Sequence, residues 1–368
     1  MSDPFEVFLM APPGFETVLA DEVREKGFAD PKTVPGGVTM QGDWPDVWRA
    51  NLQLRGAGRV LARFAEFRTM HLAQLDKRSR KLDWASILRK DVPVRVEATC
   101  RKSRIYHAKA AQQRVERAIT EELGAPLASD AALTVRVRIE DDMCTLSLDT
   151  SGEPLHKRGH KAAVGKAPMR ESMAAMFLRQ CGYTGTEPVL DPMCGSGTFV
   201  IEAAEIAAGL YPGRTRRFAF EDLANFDRVA WDAMKAGNTL VQPANRFYGS
   251  DRDAGAIQSC IANADRAGVA EWTEFTHAAV SDLQRPEGPP GLVIVNPPYG
   301  TRIGNKKLLY AIYGAFGQTM KERFSGWRVG MITTEAGLAK TTGLPFTSGP
   351  PIPHGGLKVR LFQTPRLR

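Results

Sequence analysis

Apolar and polar positions follow two different rhythms along this 368-residue chain, and the rhythm changes near residue 150. Before that point short apolar strands alternate with amphipathic helices. Strands are predicted at Phe5–Ala11, Val38–Gln41, Val60–Phe67, Val94–Cys100, Leu133–Glu140 and Met143–Asp149. Helices are predicted at Phe15–Lys26, ending at Gly27, at Trp44–Leu54, over the basic stretch Leu72–Leu88, and at Ala108–Leu123. In Thr134–Ile139 apolar and polar residues alternate strictly, so one sheet face is expected to be buried and the other to carry Arg136 and Arg138. This order fits small α+β units with helices on one sheet face.

Past Ser151-Gly152-Glu153-Pro154 the units become strand-then-helix. Pro188–Asp191 leads into Gly197–Ala208, Phe247–Asp251 into Ala254–Gly268, and Phe275–His277 into a loop. Gly291–Val295 then precedes Lys306–Arg323, and Val329–Thr333 follows. A strand as uniformly apolar as Leu292-Val293-Ile294-Val295 belongs in a parallel sheet covered on both faces. The expected fold is a doubly wound α/β domain, with its ligand off the carboxyl ends of the strands.

Composition narrows the class. With 43% hydrophobic and 24% charged residues the sequence is that of a globular protein. It has no run of about 18 apolar residues, so no membrane span is expected. Its opening residues lack the basic start and apolar core of a secretion signal. The five cysteines are scattered and never form CxxC, which points to reduced thiols in a cytosol. Cys144, His156 and His160 are too irregularly spaced to predict a metal site. The net charge of +8 is local: residues 51–117 hold 17 Lys/Arg against 6 Asp/Glu, whereas 1–50 and 251–300 are acidic. Such a field suits an anionic partner. A charged solvated face is the plain alternative until a site for chemistry is found beside it.

Three motifs supply that site. Asp191-Pro192-Met193-Cys194-Gly195-Ser196-Gly197-Thr198 follows a strand and opens a helix. Gly195 and Gly197 let the backbone approach a ligand, and free helix N–H groups suit a carboxylate. The Gly-Lys-Ser/Thr of a phosphate loop is missing, and Val200 stands where the dinucleotide pattern needs its last glycine. Next, Asp251, in Gly249-Ser250-Asp251-Arg252-Asp253, ends a second strand and is the candidate acceptor for ribose hydroxyls, while Asp253 is placed to cap the following helix.

The third motif, Asn296-Pro297-Pro298-Tyr299, directly follows the buried strand. An aromatic amine is a poor nucleophile because its lone pair is delocalised into the ring. As it attacks a methyl group it gains positive charge, and the Asn296 side-chain oxygen with the Pro297 carbonyl can accept its N–H bonds and stabilise that charge. No general base is needed first, since the alkylated ammonium is strongly acidic. Tyr299 is expected to stack on an extruded base.

Together these motifs resemble those of class I S-adenosylmethionine-dependent methyltransferases that act on amines. The whole chain resembles the THUMP-domain RNA guanine 2-amino methyltransferases acting on 23S rRNA or tRNA. Leu155–His160, Ala167–Ala175, Asp191–Ala204, Asn296–Gly304 and Gly356–Phe362 carry most of the likeness, with a looser match at Pro13–Glu16. The resemblance implies a ferredoxin-like domain over 1–65, an RNA-holding THUMP domain over 66–153 and a Rossmann-like catalytic domain over 154–368. It makes Asp191, Cys194, Gly195, Gly197 and Asp251 cofactor residues for S-adenosylmethionine, and Asn296 to Tyr299 the catalytic loop. Arg78, Arg80, Lys81, Arg101, Lys102 and Arg104 become the expected phosphate contacts. A cytoplasmic monomer without metal is the implied state.

One departure concerns the adenine pocket. Such enzymes usually carry an acid four residues before a leucine after the third strand. With Leu283 as that leucine, Ala279 stands at the acid's place, and Asp282 or the backbone is left to substitute. Rival readings also remain. An adenine 6-amino methyltransferase uses the same loop, on DNA with a target-recognition insertion or on RNA. A protein-glutamine methyltransferase has no need of the basic region. A non-enzymatic RNA-binding assembly factor has no need of Asn296 and the glycine loop.

Overall fold

Seven strands from before residue 150 join into a single sheet in the computed structural model, which describes residues 4–161, 169–299 and 306–368. The elements of this part are β1 (Phe5–Met10), α1 (Glu16–Glu25), β2 (Lys32–Val34), β3 (Gly37–Gly42), α2 (Trp44–Gln53), β4 (Arg59–Arg68), α3 (Leu72–Ser79), β5 (Val94–Arg101), α4 (Ala108–Glu122), β6 (Leu133–Glu140) and β7 (Met143–Asp149). The strand order is β2-β3-β1-β4-β7-β6-β5. Only β5 and β6 run parallel.

Local chemistry explains these elements. Asp43 and Asp46 form a reciprocal capping box at the start of α2, and Val47, Trp48, Asn51 and Leu52 make its buried face. In β6, Val135, Val137 and Ile139 are buried while Arg136 and Arg138 alternate outward, as the pattern requires. The expected helix over Leu72–Leu88 is shorter in the structure. It stops at Ser79, whose carbonyl accepts a hydrogen bond from the buried Trp84 indole at 2.9 Å, and a 3₁₀ turn at Trp84–Ser86 takes over.

The remaining elements are α5 (Glu171–Gln180), β8 (Val189–Asp191), α6 (Thr198–Ala207), α7 (Arg228–Ala236), β9 (Phe247–Asp251), α8 (Ala254–Ala267), β10 (Thr273–His277), β11 (Leu292–Val295), α9 (Lys306–Arg323), β12 (Arg328–Thr333), α10 (Ala336–Thr341), β13 (Thr347–Ser348), β14 (Ile352–His354) and β15 (Leu357–Gln363). Their sheet runs β10-β9-β8-β11-β12-β15-β13. It is parallel from β10 to β12, and β15 closes it antiparallel. The chain order reverses between β8 and β11, so a crevice is expected off their carboxyl ends. All four residues of β11 are buried between β8 and β12. On the buried helix α6, Glu202 pairs with Arg158 at 3.3 Å and Glu205 with Arg214 at 2.7 Å, so neither carboxylate is left unbalanced.

Two compact units result: residues 1–11, 19–155 and 216–237 in the first, and 12–18, 156–215 and 238–368 in the second. The sequence pattern assigns 216–237 to the carboxyl-terminal domain. In the structure it groups with the first unit, because Phe220 and Phe226 pack on Trp48, and Trp231 packs on Phe220. Strand β4 runs across the expected boundary at residue 65, so the segments on either side of it share one sheet. Among the described residues no helix is long and apolar enough to cross a membrane.

Candidate active site at the strand tips

The three motifs meet because parallel strands carry them to one edge of the second unit's sheet. Asp191 is the last residue of β8, Asp251 the last of β9, and Asn296 follows β11 immediately. Asp251 joins the first two motifs: its Oδ2 accepts the Gly195 N–H at 2.9 Å and its Oδ1 accepts the Asp253 N–H at 3.0 Å. Asp253 caps α8 by accepting from the N–H groups of Gly255 and Ala256.

Gly195 and Gly197 both take positive φ, +54° and +81°. A Cβ on Gly195 would stand in open space, whereas one on Gly197 would lie 3.2 Å from Cys260 Sγ. The tight turn therefore needs both glycines, for conformation and at Gly197 also for room. Cys194 is buried with its sulfur 3.7 Å from Cys260 Sγ, and both are free thiols. Asp191 is almost wholly buried. Burial pushes its carboxyl up to about 8, aided by nearby Asp251 and opposed by the Met193 N–H that it accepts.

A cavity of about 500 Å³ opens beside these groups. Met193, Asp251 and Arg252 line one part of it, and Asn296, Pro297 and Pro298 another. Ala278 to Ser281, beyond β10, and Ala311, Ile312 and Ala315 of α9 complete a mainly small, apolar wall. The Asn296 Oδ1 is buried, yet has no hydrogen-bond partner among the described residues. A buried acceptor left so is costly, which marks it as awaiting a donor.

Two expectations differ from the geometry. The Tyr299 ring is only 1% exposed and is not part of the cavity wall, so it presents no face for stacking. It turns inward beside the buried Tyr313, whose hydroxyl donates to the Pro298 carbonyl at 3.3 Å and lies 2.9 Å from Thr333 Oγ1. Asp282 lines a separate recess of about 400 Å³ with Tyr248, Glu274 and Leu283. Its N–H closes a turn onto Ala279 O at 3.0 Å, which leaves Ala279 and Ser281 on the main cavity. Residues 300–304 of the last motif, and 167–168 of Ala167–Ala175, lie outside the described residues.

Sequence reasoning misses Tyr313, Thr333 and the α9 residues. The spacing of Ala311 and Ala315, four apart on one helix face, is the only signal for the latter. It also misses Lys161, whose ammonium donates to Thr198 Oγ1 at 2.8 Å at the start of α6.

The first half's cations fall into two groups. Arg80 is enclosed by Asp76, Glu121 and Glu122, which hold its guanidinium well above the usual range. It is thus already neutralised. Arg78 lies over the Phe67 ring at 5.7 Å, and Arg101 is 3.8 Å from Glu140. Lys81, Lys102 and Arg104 are exposed and form no ion pair among the described residues.

An acid at the second strand tip, an open glycine loop and an apolar cavity together fit an adenosyl cofactor, and the fold and site define a class I methyltransferase. The chain belongs to the RMKL-like methyltransferase domain family, whose model matches residues 158–345, and the RlmL ferredoxin-like domain matches residues 6–61. The chain is 34% identical over 328 residues to the ribosomal RNA large subunit methyltransferase K/L of Vibrio cholerae, matching 85% of this chain but 46% of that protein. The chain thus spans about half the length of the curated relatives it matches. Among solved structures, a methyltransferase complexed with SAH is 26% identical at a TM-score of 0.89, with all of both chains covered. One described as a predicted N6-adenine-specific DNA methylase from Listeria monocytogenes is 29% identical at a TM-score of 0.89, covering 99% of this chain and 97% of its own.

Proposed function

We propose that this chain methylates the exocyclic 2-amino group of a guanine in structured RNA, with 23S rRNA ahead of tRNA as substrate. The observation that carries the reading is the buried Oδ1 of Asn296 beside the cavity, which has no hydrogen-bond partner among the described residues. A guanine 2-amino group supplies the N–H that this acceptor lacks. As the nitrogen attacks and becomes cationic, the Asn296 oxygen and the Pro297 carbonyl stabilise its charge without moving. When bound, S-adenosylmethionine supplies an electrophilic methyl group on a sulfonium.

Asp251 is the ribose acceptor, since each of its oxygens accepts only one backbone N–H in the structure and can accept more. Asp191 and the backbone of Cys194, Gly195 and Gly197 shape the other end of the cofactor site. Ala279 and Ser281, rather than Asp282, flank the base. Tyr299 anchors the loop from within.

Residues 1–65 and 66–153 act as the ferredoxin-like and THUMP parts of one RNA-presenting sheet, and the chemistry belongs to 154–368. The ribosomal RNA activity named for the Vibrio cholerae relative supports RNA over DNA. So does the excess of cations in residues 51–117. The expected setting is the cytoplasm.

Single-turnover methyl transfer to total RNA from cells lacking the enzyme, followed by nucleoside analysis, tests the reading. The expected product is 2-methylguanosine. Formation of 6-methyladenosine would overturn the base assignment.

A further inference from the structure

We propose that the loop Lys102–His107, between β5 and α4, is a platform on which one unpaired nucleobase of the RNA stacks, with Tyr106 as its surface. The inference rests on the reading of RNA as substrate and adds where, and in what state, part of that RNA is held.

Tyr106 is 73% exposed, the second most exposed large hydrophobic side chain among the described residues, while its neighbour Ile105 is 4% exposed. Ile105 pins the loop from beneath and thereby turns the next side chain outward. The loop is also tied on its other side. Lys102 takes a left-handed φ of +46°, and the Ser103 hydroxyl donates to Arg101 O at 2.8 Å. The Asp142 N–H donates to Ser103 Oγ at 3.0 Å, and the Arg104 N–H donates to Asp142 Oδ1 at 2.8 Å. The His107 ring, in the position before α4, lies 4.3 Å from the Tyr106 ring at 42° and supports one side of it. The aromatic is therefore held in place before any ligand arrives, which lowers the entropy lost on binding.

Charge identifies the occupant. Arg101, Lys102, Arg104 and Lys109 stand on or beside the loop, and the last three make no ion pair among the described residues. Among the described residues, the acids recorded against this loop belong to the β6–β7 turn and its flanks. Asp142 is occupied by the loop backbone, Glu140 is shared between Arg101 and Arg138, and Asp141 adjoins them. Exposed cations around a fixed aromatic face suit a nucleotide, with phosphate on the cations and base on the ring. In a duplex the base faces are covered by their neighbours, so only an unpaired base can take this position.

The test uses the full chain and two RNAs of equal length, one a blunt duplex and one carrying a short single-stranded overhang with 2-aminopurine. Tyr106→Ala is expected to lower affinity for the overhang RNA about tenfold and to abolish the fluorescence quenching of 2-aminopurine. Affinity for the duplex, the salt dependence and S-adenosylhomocysteine binding should match those of the unaltered protein. Tyr106→Trp should keep both overhang affinity and quenching. If the unaltered chain binds RNA and Tyr106→Ala binds both RNAs equally well, or loses both equally, the platform is wrong and the RNA reading stands. If the unaltered chain binds neither RNA at low salt, the RNA reading fails and the platform with it.

Discussion

The Tyr313 hydroxyl on α9 donates to the carbonyl oxygen of Pro298, 3.3 Å away, and so fastens the strand-tip loop to a helix of the opposite wall. Thr333, at the end of β12, completes the clamp at 2.9 Å from the same hydroxyl. Tyr313→Phe keeps the ring in its buried place and removes only the clamp. A neutral buried hydrogen bond is worth about 1 kcal/mol, so only a modest fall in thermal stability is expected. The methyl-transfer rate should fall further, by about tenfold, with S-adenosylhomocysteine affinity unchanged, because a small misplacement of the acceptors is amplified at the reacting centre. Single-turnover kinetics beside calorimetry would check this. Equal losses in rate and cofactor affinity would show that the clamp serves the whole fold and not the loop.

Asn296→Ala tests the chemistry more directly. Its Oδ1 has no partner to lose among the described residues, so the variant should be at least as stable as the parent. Loss of one preorganised group of this kind costs about 10²–10³-fold in turnover. RNA and cofactor affinities should change little, since the interaction strengthens only as charge develops. A normal single-turnover rate would remove Asn296 from the mechanism.

Replacing Asp251 should act on the cofactor instead. Each charge-assisted hydrogen bond lost is worth about 1.5–3 kcal/mol, so Asp251→Ala should weaken S-adenosylhomocysteine binding about tenfold or more by calorimetry. The same carboxylate holds the Gly195 N–H, so the loss combines a missing contact with a loosened glycine loop. Asp251→Asn, which retains one acceptor, should fall between parent and alanine variant. Unchanged affinity in both would place the ribose elsewhere.

Asp191 predicts a pH dependence. Burial raises its folded-state carboxyl to about 8, above the ordinary unfolded value, so folding favours the neutral acid. Its contribution to stability is then complete in acid and is lost as pH rises toward and through about 8. Asp191→Asn keeps a carbonyl acceptor for the Met193 N–H and cannot ionise. Thermal unfolding of cofactor-free protein should therefore show the asparagine variant gaining on the parent steadily as pH rises from about 4 to about 8, and being the more stable of the two at pH 9. A constant difference across that range would mean that Asp191 does not titrate there.

What the sequence revealed depended on how local the governing interactions are. Strand β6 matches its alternation to the residue, and β9 and α9 match their expected limits, because burial on known faces sets the pattern. The meeting of the three motifs was legible for the same reason: a parallel sheet brings successive tips to one edge. Tyr299 lies buried near Tyr313, fourteen positions on, a proximity that no local pattern displays. The stretch 216–237 groups with the first unit through aromatics that pack on Trp48, far away in sequence, a relation no local pattern displays. The pairing of Arg80 with Glu121 and Glu122, some forty positions on, likewise has no local signal.

The unbroken sheet of the first unit has a mechanical consequence. Strand β4 is hydrogen-bonded to β1 on one side and β7 on the other, so no hinge interrupts the seven strands. Six gaps of about 4.8 Å set about 29 Å between its edges, β2 and β5. That span is a fixed gauge. The loop beyond β5 cannot approach the opposite edge of the sheet, so under the proposed RNA reading any adjustment of fit falls to the RNA.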